Sequence, residues 1–255
     1  MFKIIKYVIV DILRSRIMLA YTFFLLAISL SIFNLEDSPA KGLLSMLNII
    51  LIVVPLVSLI FSTIYMYNSV EFIELLLSQP IRRSYLLLSV SAGLMLSLVI
   101  AFVVGAGIPV ILMEGSSTAW IMTLTGIGLS AVFVSLAVLG SVITRDKAKG
   151  IGIAILMWIY FSLLYDGILL LIMFQLSDYP LDKAMIAFCS LNPVDLARIL
   201  ILLKLDISAL MGYTGALYRE FFGSSMGIGL SFSLMILWLV IPMAVASRIF
   251  RKKDL

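Results

Sequence analysis

Apolar and polar positions along this chain alternate in long blocks rather than at a short period. Six apolar runs, at about 17–33, 43–65, 85–113, 119–143, 151–174 and 226–246, are separated by polar or charged turns. A run of about 20 apolar residues, at about 1.5 Å of rise per residue, matches the thickness of a bilayer. Backbone groups in lipid must be bonded within their own segment, so such runs are helices. The predicted fold is all-α: a polytopic membrane protein whose six transmembrane helices form a single domain over 1–255. Pro55 predicts a kink in the second span that packing re-satisfies. In the third span Gly105, Gly107 and Pro109, and in the fourth Gly126, Gly128, Ser130 and Ser135, predict close approach between helices.

Three segments depart from the spanning pattern. In residues 2–16, Phe2, Ile5, Ile9 and Ile12 recur at helical spacing, with Lys3, Lys6, Arg14 and Arg16 among the polar positions. This predicts a basic amphipathic helix lying in the inner interface. It resembles a secretory signal in its charged start, but it lacks a small-residue cleavage site and leads into a further span, so it reads as retained. The second segment is 68–83, NSVEFIELLLSQPIRR. Asn68 at the N-cap and Glu71 three residues on form a predicted capping box. Glu71 and Glu74 lie one turn apart, while Phe72, Leu75 and Leu76 share another face. Pro80 ends the helix, and Arg82 and Arg83 follow. The prediction is a short helix, about 68–80, across the mouth of the bundle.

The third segment is 175–225, where charges return and glycines cluster late. Asn192 is a predicted N-cap, Pro193 takes the first helical position and Asp195 sits in the first turn. The following helix, to Lys204, places Leu196, Ile199, Leu200 and Leu203 on one side. It is too short to span, so the expected structure is an extracytoplasmic hairpin of amphipathic helices over the bundle mouth.

Charge fixes the expected topology. With six spans and the N-terminus inside, thirteen of the 18 basic residues fall on the cytoplasmic side. They include Arg82 and Arg83 in one turn, and Arg145, Lys147 and Lys149 in a second. Both termini are expected to be cytoplasmic. Composition agrees with the spans: 63% of the 255 residues are hydrophobic and 13% charged, with a mean hydropathy of +1.20. Soluble domains have about 25% charged residues. The net charge of +4 is dispersed among the loops, which gives no reason to expect a nucleic-acid partner.

The remaining composition excludes several chemistries. There is no histidine, which rules out a His general base, a His-ligated metal and the H-E-x-x-H motif. A single cysteine, Cys189, rules out an internal disulfide framework. The fourteen methionines are scattered without a Met-x-x-Met repeat and read as gap-filling core rather than soft metal ligands. No metal site and no catalytic residue is expected. No G-x-x-x-x-G-K-[ST] loop occurs, so ATP chemistry would have to come from another subunit. Asp166 is the only acid within a predicted span. Intramembrane carboxylates face protein or water, and two roles stay open for it: a structural hydrogen-bonded carboxylate or a pathway residue.

The 71–83 string EFIELLLSQPIRR resembles the cytoplasmic turn of ABC-2 type permeases, whose pattern is E-x-x-x-LL-x-x-P-x-x-R. A glycine common there between the acid and the leucines is replaced by Phe72 and Ile73. The resemblance implies a permease subunit with no cofactor of its own, paired with a cytoplasmic ATP-binding-cassette ATPase that carries ATP and Mg. It implies an ATPase-binding surface formed by Asn68, Glu71, Glu74, Leu75, Leu76, Ser78, Pro80, Arg82 and Arg83, with the Arg145, Lys147, Lys149 turn as a second grip. It also implies pairing with a second copy, because six helices alone enclose little space for a pathway, and residence in the bacterial inner membrane.

A narrower resemblance, to the NosY permeases of the transporter that matures nitrous oxide reductase, rests on 191–198 (LNPVDLAR) and 204–216 (KLDISALMGYTGA). It implies a role in maturing that reductase's copper–sulfur centre, by moving a sulfur species or copper or by transmitting force. It further implies a periplasmic β-helical partner, faced by Asn192, Asp195, Arg198, Gly212 and Gly215. The alternative for this segment is a self-packed lid. For the whole chain the alternatives are a general ABC-2 exporter of a hydrophobic drug, lipid or peptide, and an ATPase-independent enzyme or scaffold, against which the lack of clustered polar groups in the spans argues.

Overall fold

The computed structural model describes residues 2–36, 38–78, 82–175, 188–204 and 225–252. These are helical almost throughout, in the order α1 (Phe2–Leu13), α2 (Arg16–Leu35), α3 (Pro39–Asn68), α4 (Val70–Leu77), α5 (Arg83–Phe102), α6 (Ile108–Glu114), α7 (Ser117–Ile143), α8 (Lys147–Ile159), α9 (Tyr165–Gln175), α10 (Pro193–Lys204) and α11 (Ser225–Lys252). Two short π-helical segments, Val103–Gly107 and Tyr160–Leu164, join α5 to α6 and α8 to α9. Six helical stretches are long and apolar enough to cross a membrane: Arg16–Leu35, Pro39–Asn68, Arg83–Glu114, Ser117–Ile143, Lys147–Ile172 and Ile228–Lys252. They coincide with the six predicted runs. The protein is an all-α, multi-pass membrane protein.

The most enclosed of the six is α7, which packs against α3, α5, α10 and α11. Its small residues allow this. A Cβ at Gly126 would overlap the Phe102 ring, and one at Gly128 would meet Met235 Cε at 2.7 Å. On α5–α6 the same logic seats Gly107 on Thr123 and Gly105 on Leu25 and the Thr22 carbonyl. These predicted close approaches are made within one chain. Several buried hydroxyls in the spans bond the carbonyl one turn back, as Ser97 does to Gly93 and Ser130 to Gly126, which lowers their cost in an apolar setting. Gly126→Leu is expected to destabilise the bundle by about 1–3 kcal/mol, the usual range for overpacking. Thermal unfolding in detergent would measure it, with Gly140→Leu, where a Cβ meets open space, as the neutral comparison.

The prolines are accommodated locally. Pro55 has no N–H to give the Leu51 carbonyl, and the neighbouring Ile52 carbonyl accepts a hydrogen bond from Trp158 Nε1 at 3.1 Å. Pro109 is preceded by the first π segment, where the Ile108 amide reaches back to the Val103 carbonyl. A widened turn there absorbs the backbone position that a proline cannot serve.

The N-terminal helix is more deeply engaged than a surface helix. α1 packs along α5, with Val8 buried where a Cβ on Gly93 would stand 2.6 Å from it. Ile12 is buried with it, while Phe2 points outward. Tyr7 stacks on Phe72 of α4 with ring centroids 5.2 Å apart, so α1 reaches the same end of the bundle as α4. Arg251, near the end of α11, lines a cavity there with Arg82 and Arg83. The basic turns thus gather at one end, which carries both ends of the described chain. Glu36 and Glu114 meet at another cavity, at the opposite end.

Candidate functional site

At the basic end, α3 runs without a break through Asn68, a single residue Ser69 makes the joint, and α4 begins at Val70. The expected capping box is therefore absent. Asn68 is the last residue of α3 rather than the cap of α4, and the N-cap, Ser69, makes no side-chain cap bond. The cause is long-range. Asn68 Oδ1 accepts from Lys147 Nζ at 2.7 Å, a partner 79 positions away that a local reading of the sequence cannot supply. The predicted apolar face is also redrawn: Ile73 is buried, Phe72 and Leu76 are half-buried, and Leu75 is 62% exposed. Glu71 and Glu74 are exposed with it. Ser78 closes the helix by donating to the Leu75 carbonyl at 2.7 Å. Pro80 lies outside the described residues. Arg82 and Arg83 stand at the N-cap and first position of α5.

Behind this helix the spans are tied together. Tyr67 Oη donates to the Thr144 carbonyl at 3.2 Å and pairs with the Thr144 hydroxyl at 2.8 Å. Tyr67 fits because α8 presents Gly150, where a Cβ would overlap the phenol. Asp146 caps α8 by accepting from the amides of Ala148 and Lys149 at 2.7 and 3.1 Å. The second basic turn is thus rigidly placed, and Arg145 joins Glu74, Tyr67, Thr144 and Phe250 around an apolar cavity of about 280 Å³. The arrangement is an exposed acidic helix whose root is fastened to the end of α7 and the start of α8. Sequence reasoning missed Tyr67, Thr144 and Gly150, since a tyrosine at the end of an apolar run reads as an interfacial belt residue.

Toward the other end, α10 begins as predicted. Asn192 Oδ1 accepts from the Val194 amide at 3.0 Å. The helix does not lie loosely over the bundle, however. It is inserted against α7, α3 and α11, with Leu196, Ala197, Leu200 and Ile201 buried. Asn192 and Asp195 are 0% and 4% exposed. Asn192 Nδ2 donates both to the Phe161 carbonyl, at 2.9 Å, and to Asp195 Oδ2, at 3.0 Å. Phe161 belongs to the second π segment, where a widened turn leaves carbonyls in need of donors. Arg198 Nη1 then bridges Asp166 Oδ2 at 2.6 Å and Asp195 Oδ1 at 3.2 Å. Trp238 Nε1 and Tyr165 Oη donate to the Ser190 and Phe188 carbonyls. Of the residues expected to face a periplasmic partner, Asn192 and Asp195 have their hydrogen bonds inside the chain, Arg198 is partly exposed, and Gly212 and Gly215 lie outside the described residues. Asp166 is an ion-paired carboxylate.

Two carboxylates around one guanidinium leave an excess negative charge in a buried place. Burial, reinforced by Asp166 alongside, pushes the Asp195 carboxyl up from its usual 3.8 to about 7. The native state therefore holds a proton that the unfolded chain releases above about pH 4, and stability declines as pH rises from there through about 7. Asp195→Asn is expected to flatten that decline, measured as the thermal midpoint in detergent at a series of pH values.

Comparison with known proteins places this architecture. Residues 29–255 match the model of a family described as ABC-2 family transporter protein. No curated protein matches the chain.

Proposed function

The chain belongs to the ABC-2 family of transporters, and on that footing we propose that α4 is the element through which it receives work from its ATPase. Family membership makes the chain the membrane permease subunit of an ATP-driven transporter and implies a partner ATP-binding-cassette subunit. The observation that carries the proposal is the exposure of Glu71, Glu74 and Leu75 on a helix rooted through Asn68–Lys147 and Tyr67–Thr144. Closing of the ATPases moves α4, and the joined ends of α3, α7 and α8 carry the motion along the spans. In this reading the basic end is cytoplasmic in a bacterial inner membrane, and two copies pair to enclose a path. Gly150→Leu is expected to displace Tyr67 and lower transport-linked ATPase stimulation while leaving ATPase binding intact, as measured on the reconstituted pair.

The finer reading is that the transporter serves maturation of the copper–sulfur centre of nitrous oxide reductase, with a periplasmic β-helical partner. It is supported by the NosY-like string at 191–198, of which Asn192, Asp195 and Arg198 form one bonded node. The burial of Asn192 and Asp195 favours the second reading, a general ABC-2 exporter of a hydrophobic cargo, because a self-packed α10 needs no outer partner. A mild-detergent pull-down from native membranes with mass spectrometry separates them. An ATPase with a β-helical periplasmic protein supports the maturation role, and an ATPase alone supports the exporter.

A further inference from the structure

The helix α4 has eight residues, Val70–Leu77, too few to hold a helical shape in water without packing. Its packing is sparse. Ile73 is the one buried residue among the eight, while Glu71, Glu74 and Leu75 are exposed and Val70 is 38% exposed. The one-residue joint at Ser69 fixes where α4 starts. Contacts beyond the joint must fix the direction in which it points, and the side chains that supply them are Ile73 and its neighbour Phe72.

Phe72 stacks on Tyr7 of α1, with ring centroids 5.2 Å apart and planes inclined by 23°, within the range where aromatic pairs attract. Tyr7 is a fixed platform because α1 is seated by other residues. Val8 and Ile12 are 0% and 1% exposed, and Val8 fits against Gly93 of α5. Asp11 Oδ2 accepts from Tyr65 Oη of α3 at 3.2 Å. Tyr7 itself is 57% exposed, so losing its ring leaves the seat of α1 intact. The helix α1 therefore braces three elements: α5 through Val8, α3 through Asp11 and α4 through Tyr7. We propose that Tyr7 is a positioning residue, whose stack on Phe72 holds α4 in the pose that the ATPase meets. This role rests on the reading of α4 as the ATPase-docking helix and extends the docking apparatus to the N-terminal helix. An element ordered before binding leaves less ordering to offset when the partner arrives, and the difference is read as affinity.

Two measurements test it, one without the ATPase and one with it. In the full chain alone in detergent, amide hydrogen exchange across α4 is expected to quicken in Tyr7→Ala by about 2- to 12-fold, the factor that corresponds to one aromatic pair. Tyr7→Phe, which keeps the ring, should match the native chain. So should Val10→Ala, at a 41% exposed position of the same helix. With purified ATPase titrated onto the reconstituted permease, Tyr7→Ala should weaken association by a similar factor and Phe72→Ala by at least as much. The double variant should be no weaker than Phe72→Ala, because a shared stack can be lost only once. Unchanged exchange across α4 in Tyr7→Ala overturns the proposal. Additive effects of the two alanine changes overturn it too, since Tyr7 would then touch the ATPase directly. Glu71→Ala with Glu74→Ala, run alongside, separates the two readings. If that pair leaves association intact, the docking role of α4 fails and the role of Tyr7 falls with it. If that pair releases the ATPase while Tyr7→Ala leaves association intact, α4 docks as described and Tyr7 is not what positions it.

Discussion

Replacing Glu71 and Glu74 together with alanine is expected to release the ATPase from the permease while leaving the permease folded. Both carboxylates are exposed, and no hydrogen bond within α3, α7 or α8 depends on them, so the variant keeps its spans and its thermal midpoint. A hydrogen bond to a charged group contributes about 1.5–3 kcal/mol. Losing two from one interface therefore weakens association by a factor of at least about 100. Copurification in mild detergent, followed by titration of purified ATPase onto the reconstituted permease, reads this directly. The alanine pair should score as an uncoupled permease, with normal expression and insertion and no stimulated ATP hydrolysis. Retained association at the original affinity would remove α4 from the interface.

The largest effect on stability is expected at the other node. Arg198→Ala removes the guanidinium that bridges Asp166 and Asp195 and leaves their two carboxyl groups facing each other behind the buried Asn192. Breaking a buried pair by deleting one partner costs about 3–5 kcal/mol. The Arg198 and Asp166 side chains keep 29% and 31% of their exposure, so solvent screening places this one near the lower limit, about 3 kcal/mol. Asp166→Asn in the same chain is expected to recover part of the loss, because it removes one of the facing charges. The coupling read from the double-mutant cycle should be about 1–3 kcal/mol. A cycle with no coupling would mean that the three side chains act independently and that α10 is held by its apolar face alone.

Much of the fold was legible in the sequence because its strongest signal is long-range and simple. Six runs long enough to span a bilayer need no partner information to be recognised, and a long apolar helix overlaps each of them. The start of α10 was legible for a different reason. Asn192 and Pro193 each satisfy a local backbone requirement, and local chemistry survives the removal of tertiary context. Asn68 shows where this fails. Its spacing to Glu71 is that of a capping box, yet α3 continues through it because Lys147 supplies a partner from another span. The acidic character of α4 could be read from composition, but the exposure of Leu75 could not, since it depends on which side of α4 meets the bundle.

Most of the predicted hairpin lies outside the described residues, and the helix that is described, α10, is packed more closely against the bundle than its pattern suggested. A 12-residue helix cannot cross a bilayer, which suggested a surface position, but it can be inserted between α7 and α11 if its polar residues satisfy one another. The Asn192–Asp195–Arg198–Asp166 network does so, and its acceptor in the π segment at Phe161 left no trace in the sequence pattern. Gly105 and Gly126 announced close approaches without naming Leu25 and Phe102 as the neighbours. Small residues mark where two helices meet, and only the assembled bundle says which two.

The measurement that bears most directly on α4 as the ATPase-docking helix is cysteine crosslinking at Leu75. The chain has one native cysteine, Cys189, which is buried, so Leu75→Cys introduces a single accessible thiol on the exposed face of α4. Leu112→Cys places an equally accessible thiol, at a position 78% exposed, near the opposite end of the bundle. With the ATPase present, a short bifunctional reagent should join the Leu75→Cys permease to the ATPase, with a yield that changes between ATP-bound and nucleotide-free states, and should leave Leu112→Cys unjoined. No ATPase adduct at Leu75→Cys in an intact complex, or equal adducts at both positions, would contradict the assignment of α4 as the point where force enters the permease.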